Sequence, residues 1–302
     1  MVNVGFSVPT AALNAQPNTP VEFARHVEQG GGHSVWAMDR LVFGNAEPLI
    51  ALGAMAAVTS RIRLGTCVLL ATLRPPLLLA KALGTLDQMT GGRVTIGIGV
   101  GSRADDFAAA EVPYERRGGR AEELVQIMRL AWTGEPVKFA GKHYHVDVGP
   151  VGPTPVQSRL PIWFGGSAET ALKRIARIGD GYIGSSSGGP EGFRTNWDKI
   201  LRYADAIGRD PSTLSPAALI YACVDDDLDR ATATAKANLA HYYGPRRSET
   251  SGFLLGSPDD CVRMAEEYVK AGVQTMIIGS VTADLAYLDR FLEKVLPRLP
   301  VG

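Results

Sequence analysis

The stretch from Ile62 to Ser102 constrains the fold of this chain more than any other part of it. Its first segment, Ile62–Leu70, is apolar and β-branched without polar alternation, as is typical of a parallel strand buried on both faces. A helical segment opens at Arg74-Pro75-Pro76, because proline is tolerated in the first turn of a helix, and a second β-branched strand follows at Val94–Val100. The stretch therefore predicts a βαβ unit whose two strands end at one edge, where α/β proteins bind their ligands.

The same alternation of strands and helices runs through the whole chain. The predicted strands are Val2–Val8, Ser34–Met38, Ile62–Leu70, Val94–Val100, Leu160–Phe164, Gly181–Ser185, Ala217–Val224 and Gln274–Gly279. The predicted helices include Pro20–Gln29, Pro48–Val58, Arg120–Trp132, Ala168–Ile178, Phe193–Ala206, Asp229–Tyr242 and Pro258–Ala271. No low-complexity linker interrupts the pattern, which predicts one α/β domain over residues 1–302. Eight strands in 302 residues match the size of a (β/α)8 barrel, and a doubly wound open sheet is the alternative.

Two segments break this rhythm. Residues Thr133–Ser158 hold glycines, prolines and the pair His143 and His145, and we expect an extended insertion with a hairpin there. The two histidines would point the same way on a strand, but no third ligand has suitable spacing, so we expect a surface hairpin and no metal site. Tyr242–Phe253 is the second irregular segment.

Composition excludes several classes of function. Lys and Arg together number 31, as do Asp and Glu, and no long basic run argues for nucleic acid or an anionic membrane as a partner. No window reaches the roughly 18 apolar residues that span a bilayer, and no signal peptide is apparent, so we expect a cytoplasmic protein. The three cysteines, Cys67, Cys223 and Cys261, are far apart, which argues against a disulfide framework and a metal site.

Glycine-rich segments follow two of the predicted strands. Phe164-Gly165-Gly166-Ser167 stands between a strand and a helix, where free helix N–H groups favour a phosphate; a plain turn capped by Ser167 explains the same residues equally well. Glycines at 97, 99 and 101 let the backbone approach another group closely. Their spacing is not that of the GxGxxG fingerprint, so we reject a Rossmann-type dinucleotide site.

Charged residues near the predicted strand ends are weaker signals. Asp39 and Arg40 end the second strand, where they could hold a cofactor or substrate, although a solvated ion pair between them is the simpler interpretation. Asp87 and Arg93 are interpreted as helix-end capping groups. Cys67 lies in an apolar strand and has no evident electropositive partner, which argues against a nucleophilic role. GxSxG and HExxH motifs are absent from the sequence, which removes two hydrolase classes.

Several of these motifs together resemble one family. The segments LGTCVLL, LDQMTGGRVTIGIGVGS, IWFGG and GDGY are similar to those of the bacterial luciferase-like flavin monooxygenase superfamily, most closely its members that use the deazaflavin coenzyme F420. The resemblance covers nearly the whole chain. It implies a TIM barrel with insertions, commonly a homodimer, with the flavin or deazaflavin ring at the C-terminal end of the barrel.

The resemblance also implies site residues. Cys67 and Val68 would be joined by a non-prolyl cis peptide that supports the ring, and Asp39 would lie close to the ring. The cofactor phosphate would meet Gly101-Ser102 and Gly165-Gly166-Ser167, with Thr170 nearby. The full cofactor-binding set is Asp39, Cys67, Val68, Val100, Gly101, Ser102, Gly165, Gly166, Ser167 and Thr170.

Two positions depart from the pattern. Alcohol-oxidising relatives often carry a histidine where this chain has Arg40, and some carry an acid where it has Ser102. A guanidinium cannot act as a general base at neutral pH, so Arg40 is expected to steady an anionic substrate instead.

The sequence thus leads to three hypotheses. The first is an F420-dependent oxidoreductase that moves a hydride between the deazaflavin and a small organic substrate, with Asp39 and Arg40 as catalytic candidates. The alternatives are an FMN-dependent monooxygenase using reduced flavin and O2, and a non-catalytic flavin-binding protein.

Overall fold

A computed structural model describes residues 1–244 and 249–301 of the chain. The strands are β1 (Asn3–Ser7), β2 (Ser34–Ala37), β3 (Arg63–Thr66), β4 (Val94–Ile98), β5 (Pro136–Ala140), β6 (His145–Pro150), β7 (Ile162–Gly165), β8 (Gly181–Ser185), β9 (Ser215–Val224), β10 (Leu254–Gly256) and β11 (Thr275–Ser280). The α-helices are α1 (Thr19–Gln29), α2 (Pro48–Ala57), α3 (Pro76–Met89), α4 (Ala104–Ala109), α5 (Arg117–Ala131), α6 (Glu169–Ile178), α7 (Gly189–Ala206), α8 (Leu228–Tyr243), α9 (Pro258–Lys270) and α10 (Leu285–Lys294).

Eight parallel strands close into a barrel. The order around it is β1, β2, β3, β4, β7, β8, β9 and β11, and β11 pairs with β1 to complete the circle. Each of the eight strands predicted from the sequence is one of these eight. The helices cover the outside, and their apolar sides form the main core with the outward-facing residues of the strands. The (β/α)8 barrel is therefore confirmed, and the open sheet is wrong.

The predicted hairpin is also present. Strands β5 and β6 pair antiparallel between α5 and β7, and His145 begins β6 opposite Ala140. The carboxylate of Glu123 on α5 accepts hydrogen bonds from the backbone N–H groups of residues 142–144, which anchors the turn of the hairpin to the barrel. Of the second irregular segment, Tyr242 and Tyr243 belong to α8, and residues 245–248 lie outside the described part of the chain.

The strand predicted at Ile62–Leu70 is shorter than expected. The ladder of β3 ends at Thr66, and the chain meets β4 again only at Leu69, which forms an isolated bridge with Ile98. A 3-10 turn at Ala71–Leu73 follows. Apolar composition predicted one continuous strand because it does not report where the backbone leaves the ladder. The short strand β10 and the helices α4 and α10 were not predicted.

Asp87 was interpreted as a helix-end cap, and that interpretation is wrong. Its buried carboxylate accepts hydrogen bonds from the backbone of Val156 and Gln157 and from the Gln157 amide, so it holds the loop that precedes β7. Arg93 does act at a helix end, because its guanidinium donates to the carbonyl oxygen of Thr90 after α3.

Two tryptophans fill the barrel interior, and glycines on the neighbouring strands make room for them. Trp36 on β2 and Trp163 on β7 stack with ring centroids 5.5 Å apart. A Cβ atom on Gly65 would lie 2.3 Å from Cε3 of Trp36, and one on Gly181 would lie 2.5 Å from Cδ1 of Trp163. The size of the two indoles therefore requires glycine beside them, as close-packed interiors demand.

Replacing Gly65 with alanine tests this packing. Gly65→Ala should lower the free energy of unfolding by about 1–3 kcal/mol, because Trp36 is held by Trp163 and has little room to shift. The control is Gly53→Ala in α2, where a Cβ meets nothing within 4 Å, and which should raise stability by up to about 1 kcal/mol. Both are measured by chemical denaturation; equal stability of Gly65→Ala and the parent would contradict the packing described.

Candidate active site

A cavity of about 550 Å³ opens at the C-terminal end of the barrel. It is lined by residues that follow β2, β3, β4 and β7, by the end of β8, and by the last turn of α8. The predicted site residues Asp39, Arg40, Cys67, Val68, Val100, Gly101, Ser102, Gly165, Gly166 and Ser167 all line it. Thr170 does not; it is exposed in the first turn of α6. Four separate strand ends thus bring their residues to one cavity.

One side of the cavity is built to approach an anion. Gly101 and Gly166 have positive φ angles of 75° and 127°, and a Cβ on Gly166 would lie 3.0 Å from that of Ala171. Helix α6 begins after Ala168 and has no side-chain cap, so the alternative in which Ser167 caps this helix is wrong. The N–H group of Ala171 donates to the carbonyl oxygen of Ala168, and those of Glu169 and Thr170 are left for another acceptor, as at known phosphate sites.

Arginines add positive charge to this side. Arg103 lines the cavity and donates to the carbonyl oxygen of Tyr242 at 2.9 Å, and it makes no ion pair with any carboxylate in the described residues. Arg117 stacks on the ring of Tyr114 and donates from Nε to the carbonyl oxygen of Gly101 at 2.7 Å, which fixes the glycine-rich turn. A negatively charged group bound between the two glycine-rich turns would face an unpaired guanidinium.

Another part of the cavity wall is formed by Cys67 and Val68. The peptide bond between them is cis, as the resemblance implies. Val68 fits against Gly99 and Gly165, where a Cβ would lie 2.4 Å and 3.3 Å from its two methyl carbons. Burial raises the pKa of Cys67 to about 12, so its side chain stays an uncharged thiol at neutral pH. The wall is therefore apolar and chemically inert, which suits contact with a flat ring.

Asp39 and Arg40 do not pair with each other, so the solvated ion pair considered for them is wrong. The carboxylate of Asp39 is bound by the guanidinium of Arg74 at 2.7 Å and by the backbone N–H of Leu70 at 2.9 Å. Its side chain is only 3% exposed. Because Leu70 closes the segment that contains Cys67 and Val68, Asp39 positions the apolar wall of the cavity.

Arg40 is held by acids from α4. Its Nε lies 3.2 Å from Asp106, which is buried, and its Nη2 lies 3.5 Å from Asp105. Asp106 also accepts hydrogen bonds from the backbone N–H groups of residues 41 and 42. Nη1 of Arg40 donates to no group in the described part of the chain. The guanidinium also lies near the rings of Phe43 and Tyr242, 5.3 Å and 5.9 Å from their centroids.

Sequence reasoning missed the partners of both residues. Arg74 and Asp106 lie far along the chain from the groups they bind, and no spacing rule connects them. It also missed Tyr242 and Tyr243, which α8 brings to the cavity; the hydroxyl of Tyr243 lies 2.8 Å from that of Tyr221. Burial raises the pKa of Tyr242, and the neighbouring Tyr243 raises it further.

The described residues contain no cluster of three or more His, Cys, Asp or Glu side chains arranged to hold a metal ion. Within the same residues, no helix has both the length and the apolar composition needed to cross a bilayer.

Comparisons with known proteins identify the family to which this chain belongs. The model of the luciferase-like monooxygenase family matches residues 3–275. An uncharacterized protein of Mycobacterium tuberculosis is 39% identical over 138 residues, which cover 45% of this chain and 49% of that protein. The match thus spans about half the length of that relative.

A longer match is to the F420-dependent glucose-6-phosphate dehydrogenase of Amycolatopsis mediterranei, which is 26% identical over 335 aligned positions and covers 99% of both chains. Among solved structures, an F420-dependent secondary alcohol dehydrogenase in complex with an F420-acetone adduct superposes with a TM-score of 0.86. That likeness covers 98% of both chains at 22% identity and supports the fold. With the family model matching most of its length, the chain belongs to the luciferase-like monooxygenase family.

Proposed function

We propose that this protein is an F420-dependent reductase that delivers a hydride to a small organic acceptor. The observation that carries the proposal is the anion cradle at the C-terminal end of the barrel, which combines two positive-φ glycines, an uncapped helix and the unpaired Arg103. The F420-dependent dehydrogenase that matches along the whole chain supports the choice of cofactor.

The residues of the cavity fit such a cofactor. Its phosphate would lie in the cradle of Gly101-Ser102 and Gly165-Gly166-Ser167, where added side chains would fill the space, and its ring would face Cys67 and Val68. Thr170, exposed in the first turn of α6, remains a proposed phosphate neighbour. When bound, a deazaflavin supplies a ring carbon that accepts or donates a hydride. The chain itself binds, orients and shields the reacting groups.

The protonation states of the lining residues favour reduction over alcohol oxidation. Among the described residues that line the cavity there is no histidine, and the two carboxylates, Asp39 and Asp106, are already bound by arginines. These described lining residues therefore offer no free general base to take a proton from an alcohol. Tyr242, whose pKa is raised by burial, keeps its proton at neutral pH and can give it to an acceptor that has received a hydride.

Arg40 has a separate role in this proposal. Its Nη1 is left for the acceptor, where a guanidinium stabilises the negative charge that develops when a hydride is added to a polarised double bond. Asp39 acts as a positioning residue for the wall that supports the ring.

Two alternatives use the same cavity. Reduced FMN and O2 would make the protein a monooxygenase, and a cofactor that no acceptor reoxidises would make it a flavin-binding protein without catalysis. A single domain over residues 1–302 and a cytoplasmic location are further proposals that rest on the sequence pattern and composition, and a homodimer is one that rests on the resemblance.

Equilibrium binding of F420 and FMN to the purified protein tests the cofactor. We expect F420 to bind more tightly than FMN, and Gly166→Val to weaken F420 binding about tenfold or more, because the new side chain enters the cradle and the backbone φ of 127° disfavours it. Fluorescence titration gives both affinities, and oxidation of reduced F420 by a panel of activated ketones and alkenes under anaerobic conditions tests turnover.

The control for that experiment is Gly31→Val. Gly31 also has a positive φ, of 81°, but a Cβ there meets nothing within 4 Å, so its variant carries backbone strain without touching the cavity. Tight binding of FMN without binding of F420 would overturn the order of the two cofactors. Unchanged F420 affinity in Gly166→Val would place the phosphate elsewhere.

Substitution of Arg40 tests its role in turnover. Arg40→Ala should lower kcat about tenfold or more with little change in cofactor affinity, because a positive donor at the acceptor is lost. Arg40→Lys keeps the charge and should retain more of the activity. Arg40 also pairs with the buried Asp106, so its loss could destabilise the protein. The thermal unfolding temperature of both variants separates such a loss of stability from the loss of activity. Parent-like kcat and KM in a folded Arg40→Ala protein would remove Arg40 from the mechanism.

A further inference from the structure

A second cavity, of about 610 Å³, lies at the opposite end of the barrel, where the strands begin. We call it the N-terminal pocket; its lining includes Asn3, Arg63, Thr95, Ser215 and Thr275, each at or next to the first residue of a barrel strand. Trp163 forms part of its wall. The apolar cluster that contains Trp163 also contains Cys67 and Ile183 from the cavity described above, so packed side chains separate the two cavities.

The N-terminal pocket holds more positive than negative charge. Arg63, Arg159 and Arg209 line it, and Asp180 is the one carboxylate among its described lining residues. Asp180 is already engaged by two guanidinium groups, from Arg159 at 2.7 Å and from Arg129 at 3.1 Å, and by the backbone N–H of Ile162. The ion pairs of Asp180 are therefore made with Arg129 and Arg159, and not with Arg63 or Arg209.

The guanidinium groups of Arg63 and Arg209 donate hydrogen bonds only to neutral groups among the described residues. Arg63 donates to the carbonyl oxygen of Val94, the hydroxyl of Thr95 and the amide oxygen of Gln157. Arg209 donates to the carbonyl oxygen of Ala176 and the hydroxyl of Thr213. Neither forms an ion pair within residues 1–244 and 249–301. Both are half-buried, and burial lowers the pKa of each guanidinium. Asp87 partly offsets this for Arg63; at Arg209, Asp180 partly offsets it and Arg159 adds repulsion.

We propose that the N-terminal pocket is a binding site for a small dianion of the phosphate or dicarboxylate class, held by Arg63 and Arg209 with Arg159 at its exposed edge. Two half-buried guanidinium groups without a carboxylate partner match the charge of one dianion. Guanidinium groups bind the planar edges of carboxylates and the oxygens of phosphates through paired hydrogen bonds. The site is independent of the cofactor cavity, and its ligand need not enter the reaction.

His33 gives a local readout of this site. It lines the N-terminal pocket, and its pKa is lowered by burial and by the positive charge of Arg63. A dianion bound beside Arg63 offsets that charge, so the pKa of His33 should rise when the site fills. NMR spectra of histidine-labelled protein follow this residue without interference from a phosphate bound at the other end of the barrel.

The experiment titrates the full-length protein with inorganic phosphate, malonate and chloride at constant ionic strength. We expect saturable shifts of the His33 signals and a raised His33 pKa with phosphate or malonate, and no saturation with chloride. Whichever of phosphate and malonate binds more tightly identifies the chemical class of the ligand. Arg209→Gln and Arg159→Gln test the contacts; Arg209→Gln should weaken binding about tenfold or more, since a charge-assisted contact is lost.

The control is Arg25→Gln, which changes an exposed arginine paired with Glu22 on α1 and should leave the dianion affinity unchanged. Arg159 is largely exposed, so its variant stays folded even where Arg209→Gln is destabilised. Identical shifts of the His33 signals with chloride and with phosphate would overturn the proposal. Parent-like affinity of the Arg209→Gln variant for phosphate and malonate would also overturn it. F420 binding should be unaltered in both pocket variants.

Discussion

One buried carboxylate holds the ligand end of the barrel together. Asp39, at the end of β2, binds the backbone N–H of Leu70 and the guanidinium of Arg74, and so joins β2 to the segment that follows β3. Arg74 also binds Glu47, the residue that caps α2. Removing one partner of a buried ion pair commonly costs about 3–5 kcal/mol, because the other charge is left uncompensated. The wall formed by Cys67 and Val68 therefore keeps one position relative to β2 and α2.

The barrel has an apolar middle between two polar ends. Trp36 and Trp163 fill the interior at full packing density because the strands beside them carry glycine. Helices start at one end of the barrel, where free N–H groups and Arg103 favour an anion. Strands start at the other end, where Arg63 begins β3 and the loops before β7 and β9 supply Arg159 and Arg209. The two anion sites that we propose thus depend on different physical features of the barrel.

Ion pairing decides which proton chemistry the C-terminal cavity can support. Asp39 and Asp106 would be candidate bases on their own, but each carboxylate is already bound by an arginine and by backbone N–H from a neighbouring loop. Tyr242 is buried and stays protonated. The proposed preference for reduction thus rests on the partners of the described lining residues and not on their types.

Local pattern determined most of the architecture. Parallel strands that are buried on both faces are continuously apolar, and the glycines after β4 and β7 are needed wherever backbone must approach a ligand, so the eight strands and both glycine-rich turns could be located from the sequence. Only the tertiary structure decided the partners of Asp39 and Arg40, the absence of a cap on α6, the contribution of Tyr242 and the cluster of arginines at the other end. These depend on contacts between residues distant in the chain, and the energy of an ion pair is set by separation in space, about which sequence spacing carries no information.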